Sequence, residues 1–188
     1  MSSSKKSKAL KFLDPNEITT AINEIAALAQ RSHVAIALAG GAAMQVHGSD
    51  RFTKDVDFIA DHVPIGLRGD ESMLSFGGVS ALSPGGVPVD VIVRDDDQHD
   101  VYMHALEHAD EYDDLPMRVV SAEWMIPLKM LAGRGKDLQD LEFLLLDAED
   151  CDLKRARKIV KDEIGLYGVR EFDALLVELK WKRSLETK

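Results

Sequence analysis

The chain has 188 residues, of which 45% are hydrophobic and 30% are charged. This balance supplies a core for one globular domain and excludes a chain that is disordered throughout. The single cysteine, Cys151, excludes an internal disulfide and suits a reducing compartment. No apolar run reaches the ~20 residues of a membrane helix, and the first residues lack the apolar stretch of a signal peptide. We therefore expect a cytoplasmic protein with no membrane partner.

The net charge of −10 is unevenly distributed. Residues 14–115 contain 19 acidic and five basic residues, whereas residues 116–188 contain 14 of each sign. Because nucleic-acid surfaces depend on Lys and Arg, a broad surface of that kind over the middle of the chain is disfavoured. Acidic sites that bind Mg²⁺ are compatible with this distribution.

The first half of the chain begins with a basic segment. Residues 1–12 are rich in Ser and Lys, lack periodicity and predict a flexible leader. Asp14 and Pro15 predict the start of an amphipathic helix. A short apolar run at residues 33–39 predicts a buried strand, and the alternating residues 55–61 predict a second one.

Two glycines separate these strands. Gly40 and Gly41 end the first strand and precede a short helix at residues 42–47. Residues 62–78 contain several glycines and one proline and predict no regular element. The glycine-rich loop as a whole extends over residues 62–86.

The second half begins with a hairpin. Residues 79–82 and 87–93 read as two strands, joined by turn residues 83–86. A helix at residues 98–111 and a last strand at residues 117–121 follow.

From residue 122 onward the pattern is helical. Pro127 should kink or delay the first helix of this region. Asp137, with Asp140 three positions later, predicts the N-cap of the next helix. Later helices are predicted at residues 152–164 and 169–183.

These elements predict an α/β (α+β) fold, with a small mixed sheet flanked by helices. Residues 13–120 form the predicted core domain. Residues 121–188 form a helical C-terminal region packed on that core.

Three aspartates, Asp55, Asp57 and Asp90, lie in predicted strands. Asp55 and Asp57 are two apart, so a strand presents both carboxylates on one face. Asp90 interrupts an apolar strand, which is costly unless the carboxylate is paired or binds a metal. Adjacent carboxylates repel each other unless a cation lies between them, and their hard oxygens suit Mg²⁺. A third carboxylate from a neighbouring strand would allow a two-metal site.

The glycine pair lies between a strand and a helix. Two glycines at such a turn allow backbone N–H groups to approach a phosphate closely. Taken singly, a glycine pair is usually only a turn, and an Asp-x-Asp is usually a solvated strand edge. Their occurrence together and in this order indicates a phosphate-handling metal site.

The order of these motifs resembles the DNA polymerase β-like nucleotidyltransferase superfamily. The form Arg51-x-Thr53-x-Asp55-x-Asp57 looks like the branch that contains AbiEii-type abortive-infection toxins. A further helical motif of that branch is matched by Lys129, Arg134, Lys136, Asp137 and Asp140. The resemblance covers about residues 33–146. Many relatives have Gly-Ser where this chain has Gly40-Gly41, so Gly41 brings no hydroxyl to a phosphate.

The resemblance implies roles for individual residues. Gly40 and Gly41 would hold a triphosphate, and Lys129 would contact phosphate. The implied nucleotide-binding residues are Gly40, Gly41, Arg51, Thr53, Lys129, Arg134 and Lys136. The implied catalytic residues are Asp55, Asp57, Asp90 and Asp137, the first three as metal ligands.

The sequence therefore predicts a nucleotidyltransferase that moves a nucleoside monophosphate from an NTP to an acceptor hydroxyl and releases pyrophosphate. Mg²⁺ or Mn²⁺ is the expected cofactor. The acceptor stays open among tRNA, protein and small molecules. The AbiEii resemblance adds a toxin–antitoxin or abortive-infection role, with an antitoxin protein as partner.

Two alternatives come from other classes. The first is a catalytically silent domain of the same fold that acts as a binding or regulatory module. The second is a zinc metalloprotease, because His104, Glu107 and His108 match the H-x-x-E-H pattern. Two ordinary histidines on a solvated helix explain that match more simply, since no third ligand is evident.

Overall fold

A computed structural model describes residues 12–186, in which a six-stranded mixed sheet is flanked by seven helices. The predicted leader lies outside the described residues except for Phe12. The strands are β1 Ile36–Leu38, β2 Val56–Ala60, β3 Arg68–Met73, β4 Gly78–Leu82, β5 Pro88–Ile92 and β6 Arg118–Val119. The helices are α1 Pro15–Ser32, α2 Gly40–Val46, α3 His99–Glu107, α4 Ala122–Ala132, α5 Gly135–Leu146, α6 Leu153–Glu163 and α7 Leu166–Glu186. The predicted α/β class is confirmed.

The sheet has the strand order β3-β4-β5-β2-β1-β6. The β2–β5 and β1–β6 pairs are parallel, and the others are antiparallel. The predicted hairpin is β4–β5, and the N–H of Ser83 donates to the carbonyl of Val87 across its turn at 2.8 Å. Since β5 returns beside β2, strands distant in sequence become neighbours at the centre of the sheet.

Strand β3 lies in the segment for which the sequence predicted no element. Its residues Arg68–Met73 read RGDESM, without an apolar run or an alternating pattern. The strand pairs antiparallel with β4, and the register is irregular between Arg68 and Ser72. Pairing with a neighbouring strand, rather than local preference, therefore determines this edge strand.

Helix α1 begins where the sequence predicted. The Asp14 side chain accepts hydrogen bonds from the N–H groups of Asn16 and Glu17, each at 2.9 Å. The Glu17 carboxylate accepts in return from the N–H of Asp14 at 3.0 Å. This reciprocal capping satisfies donors at the helix start. The buried face carries Ile18, Ile22, Ile25 and Leu28.

Two helix starts and the expected delay at Pro127 differ from the prediction. Helix α2 begins at Gly40 itself, so the glycines are helical residues and not only strand terminators. Helix α4 begins at Ala122 and continues past Pro127, so the proline does not delay it. Arg134, not Asp137, is the N-cap of α5.

The sheet and the C-terminal helices share one hydrophobic cluster. Fully buried members include Phe58 from β2, Met125 from α4, Leu144 from α5 and Phe172 from α7. The buried His47, at the end of α2, lies between the Val120 carbonyl (2.8 Å) and the Asp150 carboxylate (2.7 Å). Among the described residues, no helix is long and apolar enough to cross a membrane.

Candidate active site

Asp57 and Asp90 lie side by side on the central strands. They are register partners in the parallel β2–β5 pair. The neighbours Val56, Phe58, Val89 and Val91 are all fully buried. Because side chains alternate along a strand, Asp57 and Asp90 project from the opposite face. Asp55 lies in the bend just before β2, and its charge acts on both Asp57 and Asp90.

These carboxylates affect each other's protonation. Burial, together with the charges of Asp55 and Asp90, raises the pKa of Asp57 to about 6, although the charge of Lys129 and the hydrogen bond from the Gly41 N–H act against this rise. Burial also raises the pKa of Asp90, against a hydrogen bond with Ser80. The charge of Asp55 adds to the rise at Asp90. Carboxylates in this arrangement ionise only at a free-energy cost.

The two glycines are required by close contacts. Gly40 has a φ of +56°, and a Cβ there would lie 1.8 Å from Oδ2 of Asp57. The N–H of Gly41 donates to that oxygen at 3.3 Å. A Cβ on Gly41 would lie 2.7 Å from Oγ1 of Thr53, so a serine at this position would collide with Thr53. Thr53 thus occupies the space that a serine side chain at residue 41 would need, which explains why this chain has glycine there.

Thr53 and Arg51 hold the loop before β2. The Thr53 hydroxyl is buried and donates to the carbonyl of Asp55 at 2.8 Å. The Arg51 guanidinium donates to the carboxylate of Asp140. The backbone carbonyl of Arg51 accepts from the side-chain amide of Gln45 at 2.9 Å. In this structure the two motif residues therefore position Asp55, whereas the sequence assigned them to nucleotide binding.

Three cations and two carboxylates form a compact ionic cluster at the start of α5. It consists of Arg51, Lys129, Arg134, Asp137 and Asp140. The buried Nζ of Lys129 lies 2.6 Å from Oδ2 of Asp140 and 3.3 Å from Oδ1 of Asp137. The Nε of Arg134 donates to Oδ2 of Asp137 at 2.8 Å. The cluster has one cation in excess beside the three acidic side chains.

Asp137 is the anchor of this cluster. It is completely buried and accepts from the backbone N–H of Arg134 at 3.0 Å, as the third residue of α5. Although burial acts to raise it, hydrogen bonds from Arg134 and the charge of Lys129 lower the pKa of Asp137. Asp137 therefore positions the side chains of Lys129 and Arg134.

Two openings flank the carboxylates. A cavity of about 50 Å³, the Asp57-side cavity, is lined by Gly40, Asp57, Tyr102, Lys129 and Arg134 among others. A depression of about 430 Å³, the Asp55-side cleft, is lined by Phe12, Arg51, Phe52, Thr53, Lys54, Asp55, Lys136 and Gln139. Arg51 and Lys136 border both openings. Positive side chains therefore stand on either side of the acidic face.

The carboxylates suit a divalent cation by their chemistry. Asp55, Asp57 and Asp90 offer the hard oxygen ligands that Mg²⁺ and Mn²⁺ take, and a cation would relieve their repulsion. Within residues 12–186, no group of three or more possible ligand side chains converges closely enough to form a ready-made metal site.

The two histidines of the H-x-x-E-H match already have other partners. Nδ1 of His104 lies 3.0 Å from the Glu163 carboxylate. Nδ1 of His108 donates to the His104 carbonyl at 2.9 Å, and its ring stacks on Trp124 with centroids 5.4 Å apart. These contacts tie α3 to α4 and α6, so they give both histidines a structural role.

The sequence assigned no role to Asp140 and Ser80. Asp140 contacts both Arg51 and Lys129, and so joins the loop before β2 to α4. Ser80 is the register partner of Asp90 in the hairpin and acts on its pKa. The predicted turn at residues 83–86 would have paired residue 82 with residue 87 and Ser80 with Val89, one position from the observed register. No local signal indicated the contacts of Asp140, which connect segments 89 residues apart.

No protein-family model matches the chain, and no curated protein matches it. Among solved structures, it is similar to an antigenic nucleotidyltransferase-like protein from Paracoccidioides brasiliensis (TM-score 0.47, 17% identity, covering 88% of this chain and 94% of that one). It is also similar to a proposed nucleotidyltransferase from H. pylori (TM-score 0.45, 16% identity, covering 92% of this chain and 95% of that one). A third similar structure is that of the antibiotic-resistance factor ANT(2'')-Ia (TM-score 0.43, 15% identity, covering 93% of this chain and 97% of that one). At these TM-scores and identities the likeness assigns no function, which has to come from the residues of the site.

Proposed function

We propose that this protein is a metal-dependent nucleotidyltransferase of the DNA polymerase β-like superfamily. It would transfer a nucleoside monophosphate from an NTP to an acceptor hydroxyl. The acceptor oxygen forms a bond to the α-phosphorus, the bond from that phosphorus to the bridging oxygen breaks, and pyrophosphate leaves. The observation that carries the proposal is the register of Asp57 with Asp90, with the charge of Asp55 acting on both and Gly40 against Asp57.

Each part of the site has a proposed task. Asp55, Asp57 and Asp90 would hold Mg²⁺ or Mn²⁺. A bound cation of this kind neutralises phosphate charge and lowers the pKa of an attacking hydroxyl. The start of α2, with Gly40 and Gly41, provides backbone N–H groups for the triphosphate.

The ionic cluster supplies positive potential next to the phosphates. Lys129 and Arg134 line the Asp57-side cavity together with Lys136. Because Asp137 is buried against two of these cations, we assign it to their positioning and not to direct proton transfer. Lys136 is exposed and makes no ion pair with another described residue, so its ammonium group is free to contact a phosphate.

The finer resemblance supports a proposed role as an AbiEii-type toxin. It rests on the form Arg51-x-Thr53-x-Asp55-x-Asp57 and on the helical motif from Lys129 to Asp140. The proposed partner is an antitoxin protein, and tRNA, proteins and small molecules stay open as acceptors. Expression in bacteria should slow growth, and Asp55→Asn with Asp57→Asn should remove the effect. Unimpaired growth with the wild-type protein would remove the toxin role and leave the transfer reaction standing.

The test of the enzyme uses α-labelled NTPs with Mg²⁺ and cell extract. The wild-type protein should label a component of the extract, and the double variant Asp55→Asn, Asp57→Asn should not. Circular dichroism of both proteins shows whether the variant keeps its fold. Equal labelling by a folded double variant would refute the proposal.

A catalytically silent binding module is the second candidate. It is favoured by one observation: Arg51 and Lys129, assigned to the nucleotide by resemblance, already bind Asp140. Calorimetric titration with Mg²⁺ and each NTP, together with the labelling assay, separates the two. Metal-dependent NTP binding with labelling supports the enzyme, and binding without labelling supports the silent module.

A further inference from the structure

The Asp55-side cleft combines an exposed aromatic ring with exposed lysines, and we propose that it binds a nucleotide unit. The nucleobase would stack on Phe52, and its phosphate would contact Lys54 and Lys136. This proposal rests on the proposed function, because it names a ligand of the same site. It adds a binding surface that the aspartate and glycine motifs do not contain.

The size of the cleft suits this ligand. Its volume of about 430 Å³ is nearly nine times that of the Asp57-side cavity, which holds about 50 Å³. Sites for small organic ligands typically enclose ~300–1,000 Å³. A nucleoside therefore fits the Asp55-side cleft and not the Asp57-side cavity.

Phe52 provides the flat surface. Its side chain is 71% exposed, although it lies between Arg51 and Thr53, two residues that are held by hydrogen bonds. The Phe12 ring lies beside it, with centroids 5.5 Å apart and planes tilted by 40°. Exposed rings next to cations are the usual platform for unpaired bases. Phe52 on a loop whose neighbours are fixed, with Phe12 from the segment before α1 beside it, matches that arrangement.

The charges around the rings favour an anion. Nζ of Lys54 lies 5.6 Å from the centroid of the Phe12 ring. Lys54 and Lys136 are both exposed, and neither forms an ion pair within the described part of the chain. Lys136 also reaches the active face, because it lines both the Asp55-side cleft and the Asp57-side cavity. A polycationic acceptor would be repelled by these lysines, whereas a phosphate would be attracted.

The cleft opens beside the reacting groups. Asp55 lines it directly, and Arg51 and Lys136 border both the cleft and the Asp57-side cavity. A nucleotide in the cleft thus lies next to the proposed metal ligands. Two sources have this chemistry: the base of the donor NTP, and the terminal nucleotide of an RNA acceptor.

The experiment compares Phe52→Ala with a matched control. Tyr167 on α7 is also 71% exposed and lies outside the residues that line the cleft, so Tyr167→Ala removes an equally exposed ring elsewhere. The probes are α,β-methylene-ATP with Mg²⁺, inorganic triphosphate with Mg²⁺, and a single-stranded oligoadenylate. Binding is measured by calorimetry or fluorescence anisotropy.

Stacking of one base is worth ~1–3 kcal/mol, so Phe52→Ala should weaken binding about 5- to 150-fold. If the donor base occupies the cleft, the ATP analogue loses affinity while triphosphate does not. If the acceptor occupies it, the oligoadenylate alone loses affinity. Phe52→Trp should restore binding, and Tyr167→Ala should bind as the wild type.

Unchanged affinity of Phe52→Ala for both nucleotide probes would overturn the proposal, as would a wild-type protein that binds neither probe at millimolar concentration. These results are distinguishable from failure of the proposed function. If the wild-type protein labels an acceptor but Phe52→Ala binds both nucleotide probes as the wild type does, the proposed nucleotide site in the cleft is rejected and the transferase is kept. Phe52-dependent binding without any labelling rejects the transferase and keeps the cleft.

Discussion

Gly40 and Asp57 are packed so closely that a Cβ on residue 40 would lie 1.8 Å from Oδ2 of the carboxylate. The same glycine has a φ of +56°, which side-chain-bearing residues rarely adopt. The start of α2 and the carboxylate on β2 therefore form one rigid unit. Any side chain at residue 40 must displace either the helix or the proposed ligand.

We expect Gly40→Ala to abolish NTP-dependent labelling and to lower the free energy of unfolding by about 2 kcal/mol or more, because backbone strain and overlap add. Urea denaturation measures the second effect. Gly135→Ala is the matched control, since a Cβ there meets nothing within 4 Å at the start of α5. Equal stability and activity of the two variants would show that the Gly40–Asp57 contact is unimportant.

The pKa of Asp57 predicts a pH-dependent stability of the metal-free protein. The folded-state pKa of about 6 exceeds the ordinary value of 3.8, so the folded protein holds this proton more tightly than the unfolded chain. The resulting stability is fully present below pH 3.8 and is lost as the pH rises through 6. Relative to Asp57→Asn, the wild-type protein should lose on the order of 2–3 kcal/mol between pH 4 and 7.

Urea titrations of both proteins at several pH values in EDTA measure this difference. The asparagine variant should be the more stable protein at pH 7 and should lose that advantage near pH 4. A pH-independent difference between the two would mean that Asp57 is not strained by its neighbours.

Mg²⁺ should offset the loss of stability that ionised Asp57 causes at neutral pH. A cation that binds only the folded state at 100 times its dissociation constant adds ~2.7 kcal/mol of stability. We expect a rise in melting temperature with Mg²⁺ for the wild-type protein and none for Asp55→Asn with Asp57→Asn. Na⁺ at equal ionic strength is the control for general screening. An equal rise in both proteins would place the bound cation elsewhere.

Lys129 should be essential for stability. Its buried ammonium compensates Asp137 and Asp140, which are 0% and 2% exposed. Removing one partner of a buried ion pair typically costs ~3–5 kcal/mol, so Lys129→Met should lower the free energy of unfolding by about that amount. Lys158→Met is the control, because Lys158 pairs with Asp162 on the exposed face of α6. A loss below about 1 kcal/mol at Lys129 would contradict the compensation, since exposed pairs contribute ~0–1 kcal/mol.

Local patterns predicted most of the fold. The cap at Asp14, the apolar runs of β1 and β2, and the β4–β5 turn depend on neighbouring residues, and each is found where the sequence places it. Strand β3 escaped prediction because its polar sequence is ordered by pairing with β4. The start of α5 was misplaced because Asp137 binds the N–H of Arg134 from the third helical position, which imitates an N-cap in sequence.

The site was predicted less completely than the fold. Strand alternation predicted Asp55 and Asp57 on one face, but β2 begins at Val56, and the register of Asp57 with Asp90 depends on which strands pair. Long-range ion pairs such as Arg51–Asp140 leave no periodic signal. The nucleotide-binding roles that the resemblance implied for Arg51 and Thr53 stay predictions, and the contacts of both residues hold the Asp55 loop.

The most direct test of the central claim is a comparison of α- and γ-labelled NTPs with the wild-type protein, Mg²⁺ and cell extract. We predict that label from the α-phosphate enters an acceptor, that label from the γ-phosphate appears in pyrophosphate in equal amount, and that Asp55→Asn with Asp57→Asn stops both. Transfer of the γ-label to the acceptor, or full activity in the folded double variant, would contradict nucleotidyl transfer at these aspartates.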